Sequence, residues 1–101
     1  MVTFDGFDWD DGNREKCRKH GVSIEDIEAV LSDPDSLSKA DAAHSVEEAR
    51  MIAVGRTPAG RFVFVGFTFR RRDNGLLIRP ISARYMHAKE IRRYGQGLAG
   101  V

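Results

Sequence analysis

Arg70-Arg71-Arg72, Arg79, Arg84 and Lys89 supply cations at a spacing from which one small anion can be gripped from several sides. Arginine meets phosphate oxygens with a planar fork of donors. A cluster of such groups holds a phosphodiester and stabilises the extra negative charge of a phosphorane-like transition state. Cleaving RNA needs two things more. One group must take the proton from the 2′-hydroxyl, and another must protonate the leaving oxygen. The candidates for proton transfer are His20, Glu48, Lys16 and Lys19, with Tyr85 or Tyr94 for stacking or donation. Each has a plainer reading beside it. His20 fits a helix C-terminus, where its positive form favours the helix dipole. Glu48 fits a surface ion pair with Arg50, Tyr94 fits core packing, and the arginines fit a solvated face.

The charge distribution supports the first reading of the arginines. From Met51 to Val101 there are ten basic and two acidic residues, nine of the basic ones arginine; from Met1 to Arg50 there are six basic and thirteen acidic. The net charge of +1 therefore conceals an acidic half and a basic half. A basic surface of this kind is the footprint expected for nucleic acid or an acidic partner. Other chemistries find little support. His20, His44 and His87 are far apart, with no metal-ligand spacing between them, and one cysteine builds no thiolate zinc site. There is no Walker loop and no dinucleotide glycine pattern, so no cofactor is expected. Cys17 reads as a small apolar core residue rather than a nucleophile. The lone cysteine fits a reducing compartment. Met1 to Asp11 lacks the pattern of a signal peptide, and no apolar run approaches a membrane span. The expected location is cytoplasmic.

The elements that must position these residues follow from local patterns. The 101 residues read as one domain, residues 1–101, with 95–101 expected as a flexible tail. Val2, Phe4, Phe7 and Trp9 suit a short first strand or an extended arm. A helix is expected from about Asp11 to His20, with Asp10 or Asp11 as N-cap and Gly21 as a left-handed C-cap. Its stripe is polar: Asn13, Lys16, Cys17 and His20. A second helix begins at the N-cap Ser23, with Val22 and Ile27 as a hydrophobic staple and Ile24, Ile27, Val30 and Leu31 facing the core. It ends at Asp33-Pro34. Residues 35–49 are acidic and weakly patterned. Strands are expected over Arg50 to Arg56, Arg61 to Phe69 and Leu76 to Arg84, the last two joined by an Asn74-Gly75 turn that places Arg70 and Arg79 nearly opposite each other. Pro80 inside the last strand marks an edge position or a bulge. Ala88 to Tyr94 forms a short last helix capped by Gly95. The fold class is α+β: an antiparallel sheet with two N-terminal helices and a short C-terminal one.

The ordered set Trp9-Asp10, Lys19-His20-Gly21-Val22, Glu48 with Arg50, a strand reaching Gly55, Ile81-Ser82-Ala83-Arg84, Lys89-Glu90 and Arg93-Tyr94 resembles the BrnT family of bacterial toxins, over about Phe7 to Tyr94. Many relatives have a lysine and an asparagine in the first helix and a Trp-to-His spacing one residue longer; here Gly12-Asn13 and Lys16 occupy that stretch. The resemblance implies a RelE-like fold and a type II toxin-antitoxin system. It implies an endoribonuclease that cleaves without a metal, leaves a cyclic phosphate and inhibits translation. It also implies a BrnA-like antitoxin partner in a heterotetramer, with DNA reached only through that antitoxin. The family's polar positions fall on Lys19, His20, Glu48, Arg50, Arg70, Arg84 and Lys89. On this reading His20, Glu48, Arg70 and Arg84 carry the chemistry, with Arg70 and Arg84 on phosphate and His20 or Glu48 moving protons. Lys19, Arg50, Arg71, Arg72, Arg79 and Lys89 bind RNA. The alternative is a non-catalytic module that binds RNA or a protein through the same arginines.

Overall fold

The computed structural model describes residues 4–41 and 49–99. Glu48 and His44 lie outside the described residues. Alternating apolar side chains set the centre of the fold. In strand β4 (Phe62–Arg72), Val63, Val65 and Phe67 are buried while Phe62, Phe64 and Gly66 on the other face are half-buried. Strand β3 (Met51–Arg56) pairs antiparallel with one side of it, and β5 (Gly75–Tyr85) with the other. The connection from β4 to β5 differs by one residue from the expected turn. Arg72 pairs with Gly75, so Asp73-Asn74 form the loop and the positive φ, 111°, falls on Gly75. The Asp5 carboxylate occupies the place a Cβ would take at Gly75 and accepts the Leu76 N–H at 2.8 Å, so only glycine fits.

Pro80 sits at a bulge. The register passes from Gly66↔Ser82 to Phe67↔Pro80, leaving Ile81 as the extra residue. A proline has no N–H for the ladder, and a bulge tolerates that loss. The shift matters for the surface: Arg79 lies opposite Thr68 and Arg70 opposite Leu77, so the two arginines are diagonal neighbours rather than opposite partners.

Two strands complete the sheet, in the order β1-β5-β4-β3-β2. Strand β1 (Gly6–Phe7) is the short first strand expected there, and it runs parallel to β5 at the edge of a sheet whose other pairings are antiparallel. Strand β2 (Leu37–Ala40) runs antiparallel to β3, in a stretch where no strand was expected. All four residues of β2 are exposed, so it lacks the apolar alternation by which half-buried strands are recognised.

Helices α1 (Asp11–Arg18) and α2 (Ile24–Ser32) cover one sheet face. Cys17, Val22, Ile27 and Val30 close the core against Ala53, Val63, Val65, Phe67, Ile78 and Ala83. Burying a side chain such as Ile27 contributes about 2–3 kcal/mol. Ser23 Oγ accepts the Asp26 N–H at 3.1 Å, and α2 stops before Pro34. Helix α3 (Ala88–Ala99) continues through Gly95 and Gly97, past the stop expected at Gly95. A glycine inside a helix costs about 1 kcal/mol and does not by itself end it.

Candidate active site

The site begins with α1, the most polar helix. Asp10 caps it reciprocally: its carboxylate accepts the Asn13 N–H at 3.0 Å, and Asn13 Oδ1 accepts the Asp10 N–H at 2.7 Å. Asn13 is buried, and its Nδ2 donates to the carbonyls of Asp8 and Pro80, both at 2.9 Å. The side chain therefore ties the first turn of α1 to the β5 bulge. Burial of Asn13 and Cys17 fixes the rotation of the helix and leaves Lys16 and His20 exposed. Burial also pushes the Cys17 thiol up to about 11, so it stays protonated and unreactive at neutral pH. His20 stands in the turn after α1, closed by Gly21 at φ 85°, whose N–H donates to the Arg18 carbonyl at 3.0 Å.

Arg50 enters from the opposite side of the sheet. Its carbonyl accepts the Asp41 N–H at 2.8 Å, and the preceding Ala49 carbonyl accepts the Thr68 hydroxyl at 2.7 Å. These bonds hold the chain on both sides of the residue as it enters β3. The floor comes from cross-strand neighbours on one face: Ile52, Gly66 and Ser82 in one row, Phe64 and Arg84 in the next. Gly66 keeps that floor low, because a Cβ there would lie 2.8 Å from Ser82 Oγ.

These pieces frame a concavity of about 410 Å³ whose lining includes Lys16, His20, Asp41, Arg50, Phe64 and Arg84. An adjoining hollow of about 240 Å³ includes Asn13, Arg70 and Arg79, and shares Lys16, Arg50 and Ile81 with the first. Lys16, His20 and Arg50 of the acidic half thus stand beside Arg70, Arg79 and Arg84 of the basic half. Of the residues singled out from sequence, the structure brings Lys16, His20, Arg50 and Arg84 into the first hollow, and Lys16, Arg50, Arg70 and Arg79 into the second. It does not bring Lys19, Arg71, Arg72 or Lys89 into either; all four are exposed.

Carboxylates take up part of the cationic charge. Arg72 pairs with Asp8 at 3.0 Å, and Arg79 pairs with Asp10 at 2.9 Å and with Asp8 at 3.7 Å. The Asn13 N–H and the Arg79 guanidinium hold the Asp10 carboxyl below its ordinary range. Arg84 is gripped by Glu90 through two bonds of 2.9 Å, Nη1 to Oε1 and Nη2 to Oε2. Glu90 also accepts the His87 N–H at 2.9 Å; the Arg84 bonds, then this one, bring its carboxyl down to about 2. Glu90, Phe64 and Ser82 were not anticipated as site residues. Ser82 and Glu90 stood only as members of the ordered motif set, with no role, and Phe64 becomes visible only through the strand register.

Lys16 and His20 form no ion pair among the described residues. The hollow therefore offers an ammonium, an imidazole and guanidinium groups around a largely apolar floor, the groups suited to an anionic ester whose cleavage needs proton transfer. Among the described residues no three His, Cys, Asp or Glu side chains come together as a metal site, and no helix is long and apolar enough to cross a membrane.

The chain is thus an α+β domain with a cationic, imidazole-bearing hollow on its sheet. The family model described as ribonuclease toxin, BrnT, of type II toxin-antitoxin system matches residues 9–90, and the chain belongs to that family. It is thus a ribonuclease toxin by family. No curated protein matches the chain.

Proposed function

We propose that the chain is a metal-independent endoribonuclease that cleaves RNA by internal transesterification and inhibits translation when free. The observation that carries this reading is the shared hollow: Lys16 from α1, His20 from the turn after it, Arg50 from the residue before β3 and Arg84 from the end of β5 line one concavity. In the proposed reaction the 2′-oxygen attacks the adjacent phosphorus and the bond to the 5′-oxygen breaks, leaving a 2′,3′-cyclic phosphate and a free 5′-hydroxyl. A base takes the 2′-hydroxyl proton and an acid returns a proton to the 5′-oxygen. His20 is assigned to proton transfer, with Glu48 the other candidate. Lys16 and Arg50 neutralise the phosphate in flight, and Arg70 and Arg79 hold the neighbouring backbone in the adjoining hollow. In the cytoplasm a BrnA-like antitoxin would neutralise the toxin in a heterotetramer, and DNA would be reached only through that antitoxin.

The test is incubation of the purified chain with single-stranded RNA and a chelator. The expected result is internal cleavage with cyclic phosphate ends, abolished by His20→Ala. Intact RNA, together with harmless expression in a bacterial host, would overturn the reading; salt-sensitive binding without cleavage would favour a non-catalytic module on the same surface.

A further inference from the structure

Arg84 is built differently from a phosphate clamp. Its guanidinium lies over the Phe64 ring, with the central carbon 4.5 Å from the ring centroid. Both terminal nitrogens are engaged along the edge of the plane by the two Glu90 oxygens, and Nη1 also reaches the Tyr85 carbonyl at 3.5 Å. Glu90 is in turn held by the His87 N–H. A phosphate would have to displace Glu90 to reach those in-plane donors. The Arg84 side chain nonetheless remains 44% exposed. With one face on Phe64 and both terminal nitrogens on Glu90, the face turned away from Phe64 is the broad surface it leaves uncovered. Flat guanidinium planes stack nucleobases as aromatic rings do.

We propose that Arg84, backed by Phe64 and held flat by Glu90, is a stacking platform for an unpaired nucleobase of single-stranded RNA. This rests on the reading of the hollow as the RNA site. It moves Arg84 from phosphate contact to base contact and leaves the phosphate to Lys16 and Arg50. Two residues back along the same face of β4, Phe62 carries Arg56 of β3 over its ring at 5.0 Å, so the platform is followed by a second pair of the same kind. Stacking tolerates any base, so the platform sets where the chain lies rather than which sequence it has. Glu90 is a positioning residue.

The two roles for Arg84 make opposite predictions for Glu90. If Glu90 holds the platform flat, Glu90→Gln loosens it and weakens RNA binding several-fold. If Glu90 merely withholds a phosphate clamp, the same substitution strengthens binding. The probe is a single-stranded RNA carrying 2-aminopurine at successive positions, with 2′-O-methyl groups so that it stays intact, titrated into the full chain. The expected results are quenching at one position on binding, about 10-fold weaker binding with loss of that quenching in Arg84→Lys, which keeps the charge but not the plane, and weaker binding in Glu90→Gln. Binding without quenching at any position, Arg84→Lys binding as tightly as the native chain, or tighter binding by Glu90→Gln each overturns the platform while leaving the hollow as the RNA site. No binding at all overturns both.

Discussion

Asn13→Ala tests the joint on which the site is hung. The Asn13 side chain makes three hydrogen bonds: from Nδ2 to the carbonyls of Asp8 and Pro80, and to Oδ1 from the Asp10 N–H. Alanine removes all three and leaves the Pro80 carbonyl without its donor at a buried position. At about 0.5–1.5 kcal/mol net per bond, the loss comes to about 3 kcal/mol. A change of about 1 kcal/mol moves the Tm of a domain this size by roughly 4–8 °C, so the expected fall is roughly 12–24 °C. Thermal unfolding followed by circular dichroism gives the Tm, and urea unfolding at fixed temperature gives the free energy directly. Asn13→Asp should be no better, because a carboxylate lacks the donors and would face two carbonyl oxygens. Cleavage should fall too, measured well below the variant's own Tm, since Lys16 and His20 follow on the same helix and its turn. A loss of stability under about 0.5 kcal/mol would refute the argument that Asn13 pins α1 to the bulge.

The Glu90 carboxyl, brought from 4.5 to about 2, contributes stability that is fully present above about pH 4.5 and is lost as pH falls through 2. The stability difference between the native chain and Glu90→Gln, measured by urea unfolding, should therefore shrink between those pH values; a constant difference would contradict the Arg84 pairing. Cys17 should resist alkylation by iodoacetamide in the native chain and react on unfolding, and rapid native labelling would show that the thiol is not enclosed. Gly55→Ala should destabilise the fold by about 1–3 kcal/mol in urea unfolding, because a Cβ there collides with the Ser36 side chain and presses on Val30; an unchanged midpoint would mean that this corner yields freely.

Much of the fold could be read along the chain because its core elements announce themselves locally. Ser23, Val22 and Ile27 mark the start of α2, and the β-branched and aromatic run from Arg61 marks β4. Gly21 takes the positive φ expected of it. What could not be read depends on partners remote in sequence. Leu37–Ala40 is a strand because β3 offers it an edge, not because Leu-Ser-Lys-Ala has a buried face. The direction of β1 is set by where β5 lies. The same division holds in the candidate site. His20, Arg50, Arg70 and Arg84 stood out by residue type and order. Their electrostatic state did not, since Asp8 and Asp10 reach Arg72 and Arg79 across most of the chain, and Glu90 reaches Arg84 across a turn that no helical or strand period describes. Phe64 became part of the site only once its cross-strand pairing with Arg84 was known.

On the proposed function, the two oppositely charged halves build one cleaving site at the hollow lined by Lys16, His20, Arg50 and Arg84. Single-turnover cleavage of one RNA, in chelator, by the native chain and by Lys16→Ala, His20→Ala, Arg50→Ala and Lys39→Ala tests it most directly. Lys39 is an exposed residue of the edge strand β2 and lines neither hollow. The expected rates are at least about 100-fold lower for His20→Ala, clearly lower for Lys16→Ala and Arg50→Ala, and unchanged for Lys39→Ala. Cleavage by His20→Ala, Lys16→Ala and Arg50→Ala at the native rate would place the chemistry elsewhere on the molecule and contradict it.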